Sequence, residues 1–279
     1  MYINVGDTKL FASAEGDPNS PLIIALHGGR GTEEHTGEIT QFRPLTDQFR
    51  VLAYDQRGCG KSKIGDEISP ERMIHDLEEV RRQHNGGKAA IVIGFSYGGM
   101  IALLHALRHP EAVSHLIMIG SWFSHHFEET ALVEFERRRG LDAPAATRAM
   151  VESQLRHGFE NELQWRIGKF ALAGMYRPGI SPDAALALAA NPARSINIEV
   201  HKRLWMGKGY DTRPMLGALK SKLLAISGEF DWFVPPRCAA ETLSLVPNAR
   251  HVVVPGVGHS CHYHAQEAVL KEVREFLGS

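Results

Sequence analysis

The sequence predicts an α/β fold: a mostly parallel central sheet with helices on both faces and an inserted helical lid. Three observations predict it. Short apolar runs alternate with helical patterns along most of the chain, the order that strand–helix–strand units leave in a sequence. Over roughly residues 121–217 that alternation gives way to a block of helical stretches with no convincing strand. Between one apolar run and the helical pattern after it stands Gly94-Phe95-Ser96-Tyr97-Gly98, a sharp-turn sequence with a hydroxyl at its centre.

Strands are expected at Lys9–Ala14, Leu22–Leu26, Val51–Tyr54, Ala90–Ile93, Leu116–Ile119, Leu223–Ser227 and His251–Val254. Each is short and apolar enough to be buried on both faces, as strands of a covered parallel sheet are. A helix is expected after Ser69, with Pro70 in its first turn, Met73, Ile74, Leu77 and Val80 on its apolar face, and Gly86-Gly87 as its stop. The run from Met100 to Leu107 reads as a buried helix ended by Pro110. The last helix places Val269, Val273, Phe276 and Leu277 on one side. The interrupting block carries helical stretches at Ala131–Arg139, Ala145–His157, Glu162–Gly174 and Pro182–Ala190, divided by Pro144, Pro178, Pro182, Pro192 and Pro214. Residues 1–120 and 218–279 are therefore expected to form the core, and 121–217 a lid set into it.

Composition narrows the function. The chain has 279 residues, 43% of them hydrophobic, which suffices for a large core. A net charge of −1 gives no electrostatic basis for binding nucleic acid or an anionic membrane. No apolar stretch approaches the roughly 18 residues that span a bilayer, and the N-terminus lacks the pattern of a signal peptide. The three cysteines, Cys59, Cys238 and Cys261, are too scattered for a disulfide framework or a cysteine-rich zinc site. A cytoplasmic protein acting on a small molecule is expected; the oligomeric state is not legible.

A Gly-x-Ser-x-Gly between strand and helix is the pattern of a nucleophile elbow, which would push the Ser96 hydroxyl out of the fold. A serine hydroxyl needs a base to take its proton and an acid to orient that base. In one recurrent arrangement the chain order is serine, acid, histidine. Gly228-Glu229-Phe230-Asp231 follows the strand Leu223–Ser227, and Gly256-Val257-Gly258-His259 follows His251–Val254. Both would lie at the sheet edge that carries the elbow. Asp231 is favoured over Glu229 because it lies later in its loop, before Pro235-Pro236. His259 is favoured over His251, His262 and His264, which fall in or beside regular elements. The spacing His259-x-x-His262-x-His264, without a cysteine pair or HExxH pattern, does not argue for a metal, and no cofactor is expected.

Donors for a developing oxyanion are expected from the glycine-rich turn His27-Gly28-Gly29-Arg30-Gly31, through the Gly29 N–H, and from the N–H of Tyr97. Asp55-Gln56-Arg57-Gly58-Cys59-Gly60-Lys61-Ser62 ends like a phosphate-binding loop. Position 55, where such a loop needs glycine, is an aspartate. A loop buttressing the neighbouring turn fits better, with Cys59 as a packing residue.

Together these pieces resemble the α/β-hydrolase superfamily, from about Leu10 to the C-terminus. The HGG-x-G and DQRG-x-G-x-S stretches are most similar to those of the prolyl aminopeptidases (proline iminopeptidases). The resemblance implies an α/β-hydrolase fold, Ser96 as nucleophile, His259 as general base, Asp231 as its orienting acid, and Gly29 and Tyr97 as oxyanion donors. It also implies an acidic anchor for a substrate amine. Glu199, in Ile196-Asn197-Ile198-Glu199, is the candidate, set against a plain solvated glutamate. The chain departs from the family at Arg30, where proline is usual, and at Trp232, where some relatives carry a second acid. Trp232, with Trp122 and Phe123, is a candidate wall for an apolar substrate. The expected activity is hydrolysis of a small ester, lactone or amide through an acyl-enzyme. Release of an N-terminal residue is the alternative, and a ligand-gated receptor on a hydrolase fold the reading from another class.

Overall fold

The computed structural model describes residues 1–204, 210–244, 246–247 and 249–278; positions 205–209 of the expected lid lie outside the described residues. Eight strands form one sheet: β1 (Tyr2–Val5), β2 (Thr8–Glu15), β3 (Leu22–Leu26), β4 (Arg50–Tyr54), β5 (Ala90–Phe95), β6 (Val113–Ile119), β7 (Lys222–Gly228) and β8 (Ala249–Val254). Their spatial order is β1-β2-β4-β3-β5-β6-β7-β8. The β1–β2 and β2–β4 pairings are antiparallel and the others parallel. The order reverses where β3 lies between β4 and β5, and loops beyond the strand ends at such a switch point are where ligands bind.

Successive strand residues face opposite sides, so each strand feeds two cores. Ile24, Leu26, Leu52 and Val92 join a layer with Met73, Leu77 and Val80 of α2 (Pro70–Asn85) and Met100, Ile101 and Leu103 of α3 (Tyr97–Arg108). Ile23, Ala25, Val51, Ile91 and Ile93 face Ile39 and Phe42 of α1 (Thr36–Phe42). On that side they also meet Val269, Val273 and Phe276 of α12 (Gln266–Leu277). Helix α2 begins where its cap dictates: the Ser69 hydroxyl accepts from the Arg72 N–H, and Gly86 ends it in the left-handed conformation.

Between β6 and β7 the described chain is helical, with α4 (Phe127–Asp142), α5 (Arg148–Glu152), α6 (Glu162–Ala171), α7 (Ala173–Tyr176), α8 (Pro182–Ala190) and α9 (Ile198–Arg203), and α10 (Pro236–Leu243) follows β7. The stretch read as Ala145–His157 starts three residues later, because Thr147 caps α5, and finishes as a π-turn over Ser153–His157. The stretch read as Glu162–Gly174 breaks at Leu172. None of the described helices is long and apolar enough to cross a membrane.

Candidate active site

Strand β5 ends in Phe95, and α3 begins at Tyr97, which leaves Ser96 alone to make the turn. Ser96 has φ 50° and ψ −115°, making it the only non-glycine with positive φ among the described residues. That conformation costs on the order of 1–3 kcal/mol and persists only where its surroundings enforce it. The Ser96 N–H donates to the Ile119 carbonyl, and the Ser121 hydroxyl donates to the Ser96 carbonyl at 2.7 Å. The flanking glycines are required by contact. A Cβ on Gly98 would lie 2.5 Å from the His27 carbonyl oxygen, and one on Gly94 2.5 Å from that of Gly98.

The loops after β7 and β8 bring Asp231 and His259 to the elbow. His259 Nε2 lies 3.0 Å from Ser96 Oγ, and His259 Nδ1 lies 2.9 Å from Asp231 Oδ2. A carboxylate only accepts, so Nδ1 carries the proton and Nε2 presents its lone pair to the serine hydroxyl. Asp231 Oδ1 accepts from the N–H groups of Phe233 and Val234, at 2.9 Å each, which fixes the carboxylate. Strand β6 separates β5 from β7, and His259 passes its end at Gly120 (φ 52°). A Cβ there would sit 2.9 Å from the His259 carbonyl oxygen and 3.2 Å from its ring. The rivals serve elsewhere. Glu229 accepts from the Gly256 N–H, His251 bonds Ser227 from within β8, and His262 and His264 lie in α11 (Cys261–His264).

The Gly28–Gly31 turn follows β3, beside the elbow. Gly28 lets it close on the serine, since a Cβ there would be 3.1 Å from Ser96 Cβ. Gly29 and Tyr97 both line the cavity at Ser96. The Tyr97 N–H is one of the first donors of α3, which have no partner within the helix. The turn is braced from β4 as the sequence suggests: His27 Nε2 accepts from the Gln56 N–H, and the Gln56 side-chain amide donates to the His27 carbonyl. Arg57 anchors that brace through bidentate pairs with Asp76 and Asp7. Cys59 is buried there, and burial pushes its thiol up to about 12, a packing residue rather than a nucleophile.

Nearby, Asp55, His35 and Ser13 form a second relay, with 2.6 Å from Asp55 to His35 Nδ1 and 2.8 Å from His35 Nε2 to Ser13. None of these three lines the cavity, and Asp55 also accepts from the His35 and Lys61 N–H groups. Glu34, His35 and Asp55 are the one group of potential metal donors that converges among the described residues. Asp55 and His35 are already hydrogen-bonded to each other there.

A cavity of about 620 Å³ opens over Ser96 and His259, within the range of small-molecule sites. Phe95, Tyr176 and Phe233 surround the His259 ring, at centroid distances of 5.1, 5.8 and 5.1 Å. Trp122 is in the wall, stacked on Phe127 at 4.7 Å. Phe123, Trp232 and Glu199 are not. Phe123 is buried, and its carbonyl accepts from Thr212. Trp232 is fully buried against Phe135, Tyr176 and Phe233. The Glu199 side chain is 69% exposed and faces Arg203 on α9. It is Asn197 in that stretch that matters. Its N–H donates to the Gly31 carbonyl, its amide to that of Gly58, and its oxygen caps α9.

The wall contains charged residues that periodicity did not single out: Arg30, Glu33, Lys169 and Arg194. Arg194 pairs with Glu33 at 2.9 Å and lies 5.1 Å from the Trp165 ring centroid. The Arg30 guanidinium donates to the Gln154 carbonyl, and burial lowers its pKa to about 10. The Lys169 ammonium lies 4.4 Å from the Tyr176 centroid and 5.5 Å from that of Trp165, and burial lowers its pKa to about 8. In sequence Arg30 stands out only as a substitute for proline, and Lys169 looks like any solvated lysine on a helix.

Residues 21–265 match the alpha/beta hydrolase fold family. The chain is 29% identical over 279 residues to the proline iminopeptidase PfmaB of Pestalotiopsis fici, covering 99% of this chain and 98% of that protein. Among solved structures, it superposes on a proline iminopeptidase of Mycobacterium smegmatis with TM-score 0.68 and 20% identity, covering 100% of this chain and 97% of that one. MGS-M2, an alpha/beta hydrolase from a Medee basin deep-sea metagenome library, gives TM-score 0.68 and 18% identity, over 100% and 98%.

Proposed function

The chain belongs to the α/β-hydrolase family, and from that premise we propose that it is a serine hydrolase that cleaves a small ester, lactone or amide through an acyl-enzyme. The observation that carries this reading is the relay from Ser96 through His259 to Asp231, which opens onto the cavity. Ser96 attacks the substrate carbonyl as His259 takes its proton. Asp231 holds the imidazole in the required tautomer and stabilises the imidazolium. The oxyanion rests on the Gly29 and Tyr97 N–H groups. His259 then gives its proton to the leaving group. Water, deprotonated by the same imidazole, releases the acyl group. Segment 121–217 acts as a lid: its described residues supply much of the cavity wall and keep bulk water from the intermediate.

A second reading, release of an N-terminal residue, is favoured by the likeness to PfmaB along nearly its whole length. Of Glu33 and Glu34, both in the wall, Glu33 is paired with Arg194, which leaves Glu34 as the carboxylate an amine would meet. A fluorophosphonate probe tests the mechanism: stoichiometric labelling that disappears in Ser96→Ala supports it, and a folded protein that stays unlabelled refutes it. Turnover of proline 4-nitroanilide with none of 4-nitrophenyl butyrate would select the second reading.

A further inference from the structure

A pocket for a substrate amine should present an unpaired carboxylate. This cavity has one such carboxylate, Glu34, but its wall holds four cationic side chains against three acidic ones. Its charged lining consists of Arg30, Lys169, Arg177 and Arg194 against Glu33, Glu34 and Glu128. Two of those acids are already held, Glu33 by Arg194 at 2.9 Å and Glu128 by Arg156 at 3.2 Å. Lys169 is different. Among the described residues no carboxylate lies within ion-pairing distance of its ammonium, which meets instead the faces of Tyr176 and Trp165. A half-buried ammonium held only by aromatic faces gains most from an anion brought to it.

The neutral groups of the same wall point the same way. Tyr97 Oη and Trp165 Nε1 are buried donors without a hydrogen-bond partner, as is Nε of the charged Arg194, against Gln154 Oε1 and His201 Nε2 as unpartnered acceptors. Buried donors are normally satisfied, so this set fits a ligand rich in acceptor oxygens. Distance fits as well. The Tyr176 ring is 4.4 Å from the Lys169 ammonium and 5.8 Å from the His259 ring, measured at its centroid. These spacings put the ammonium no farther than about 10 Å from the imidazole, within reach of a short acyl chain.

We propose that the wall formed by Lys169, Arg30 and Arg194 is a subsite for a carboxylate carried by the substrate, so that the bond hydrolysed belongs to a molecule with an anionic group a few carbons from the scissile carbonyl. This deepens the serine-hydrolase reading and rests on it. Lys169 supplies the charge, Arg194 and Arg30 the planar donors that suit a carboxylate, and Trp165 carries Lys169 and Arg194 on its ring.

The test compares mono-4-nitrophenyl glutarate with 4-nitrophenyl pentanoate, which has the same chain length and leaving group without the charge. The wild-type protein is expected to favour the glutarate at least tenfold in kcat/KM. Lys169→Met should lower that ratio at least tenfold, mainly through KM, whatever its effect on absolute rates. Lys169→Arg should restore part of the preference. Should neither variant fold, the wild-type ratio alone decides. A protein that takes the fluorophosphonate label and hydrolyses the pentanoate, yet shows no preference for the glutarate, overturns the carboxylate subsite and leaves the serine mechanism standing. Absence of labelling removes the mechanism, and the subsite with it.

Discussion

Asp231→Asn separates the chemistry of the site from its architecture. Oδ1 of Asp231 accepts two backbone N–H groups, from Phe233 and Val234, while Oδ2 accepts from His259 Nδ1. Asparagine has a single acceptor oxygen. Placed toward the two N–H groups, it keeps both bonds and turns its NH₂ toward His259; flipped, it sets a donor against two donors. The first orientation wins. Facing an NH₂, Nδ1 must give up its proton, which moves to Nε2 and confronts the Ser96 hydroxyl with a donor. Ser96 then has no base. A fall in kcat of about 10⁴ is expected, on the order of 5 kcal/mol of transition-state stabilisation. The fold should scarcely notice: a weakened bond worth about 1 kcal/mol shifts the Tm of a chain this size by roughly 2–4 °C. Asp231→Ala, by contrast, strands two buried N–H groups at about 1–3 kcal/mol each and should melt well below it. Turnover of 4-nitrophenyl butyrate and thermal melts of the three proteins decide. If Asp231→Asn kept more than a tenth of the wild-type kcat, the imidazole tautomer would not be governed by this carboxylate, and the argument would fail.

The strained elbow predicts that Ser96→Gly is more stable than Ser96→Ala by about 1 kcal/mol in urea unfolding, although both lack the hydroxyl; equal stabilities would mean that φ 50° carries no strain. Gly98→Ala drives a methyl against the carbonyl oxygens of His27 and Leu26, so the elbow must move relative to the Gly29 turn. A lower Tm and at least a tenfold loss of kcat are expected, measured on the same ester. Burial raises the Glu38 carboxyl to about 8 and lowers His262, beside it, to about 3. Between about pH 6.5 and 8 the unfolded chain has already released the Glu38 proton that the folded protein still binds. Stability therefore falls with rising pH there, by up to about 1.4 kcal/mol per unit. The His262 contribution, which changes in the opposite sense, fades as the pH rises through 6.5 and is spent by about pH 7.5. Glu38→Gln should flatten the decline in Tm between pH 6.5 and 8; an unchanged slope would place the carboxyl in its ordinary range.

The sheet was largely legible because its central strands are buried on both faces, which compels unbroken apolar runs. Leu22–Leu26 is bounded in the fold as its apolar run is, and the other expected strands extend by one to three residues. Strand β1 was not foreseen: four residues at an antiparallel edge leave a pattern too short to register. Ser96, Asp231 and His259 were readable because each follows a strand, and parallel strands deliver their ends to one rim. The cavity wall was not. Trp122 and Phe123 are neighbours of the same chemical kind, yet only the first reaches the cavity. Glu199 stands out by likeness, whereas a helix turn aims it at solvent, and the side chain of that stretch that ties the chain together is Asn197. Lys169 acquires meaning only when Tyr176 and Trp165 close around it. Gly120 gave no signal either, since its role is to clear space for a histidine far along the chain.

Apart from Arg30, the cationic wall hangs from a single uninterrupted stretch of chain, the helices between β6 and β7, while the nucleophile, base and acid hang from β5, β8 and β7. On the reading proposed above, selectivity and bond cleavage would be encoded largely by different stretches of sequence that meet across the void. Grafting the stretch of one relative onto the sheet of another would exchange the molecules admitted while leaving the cutting apparatus in place, and drift within it can explore new diets without risking the blade.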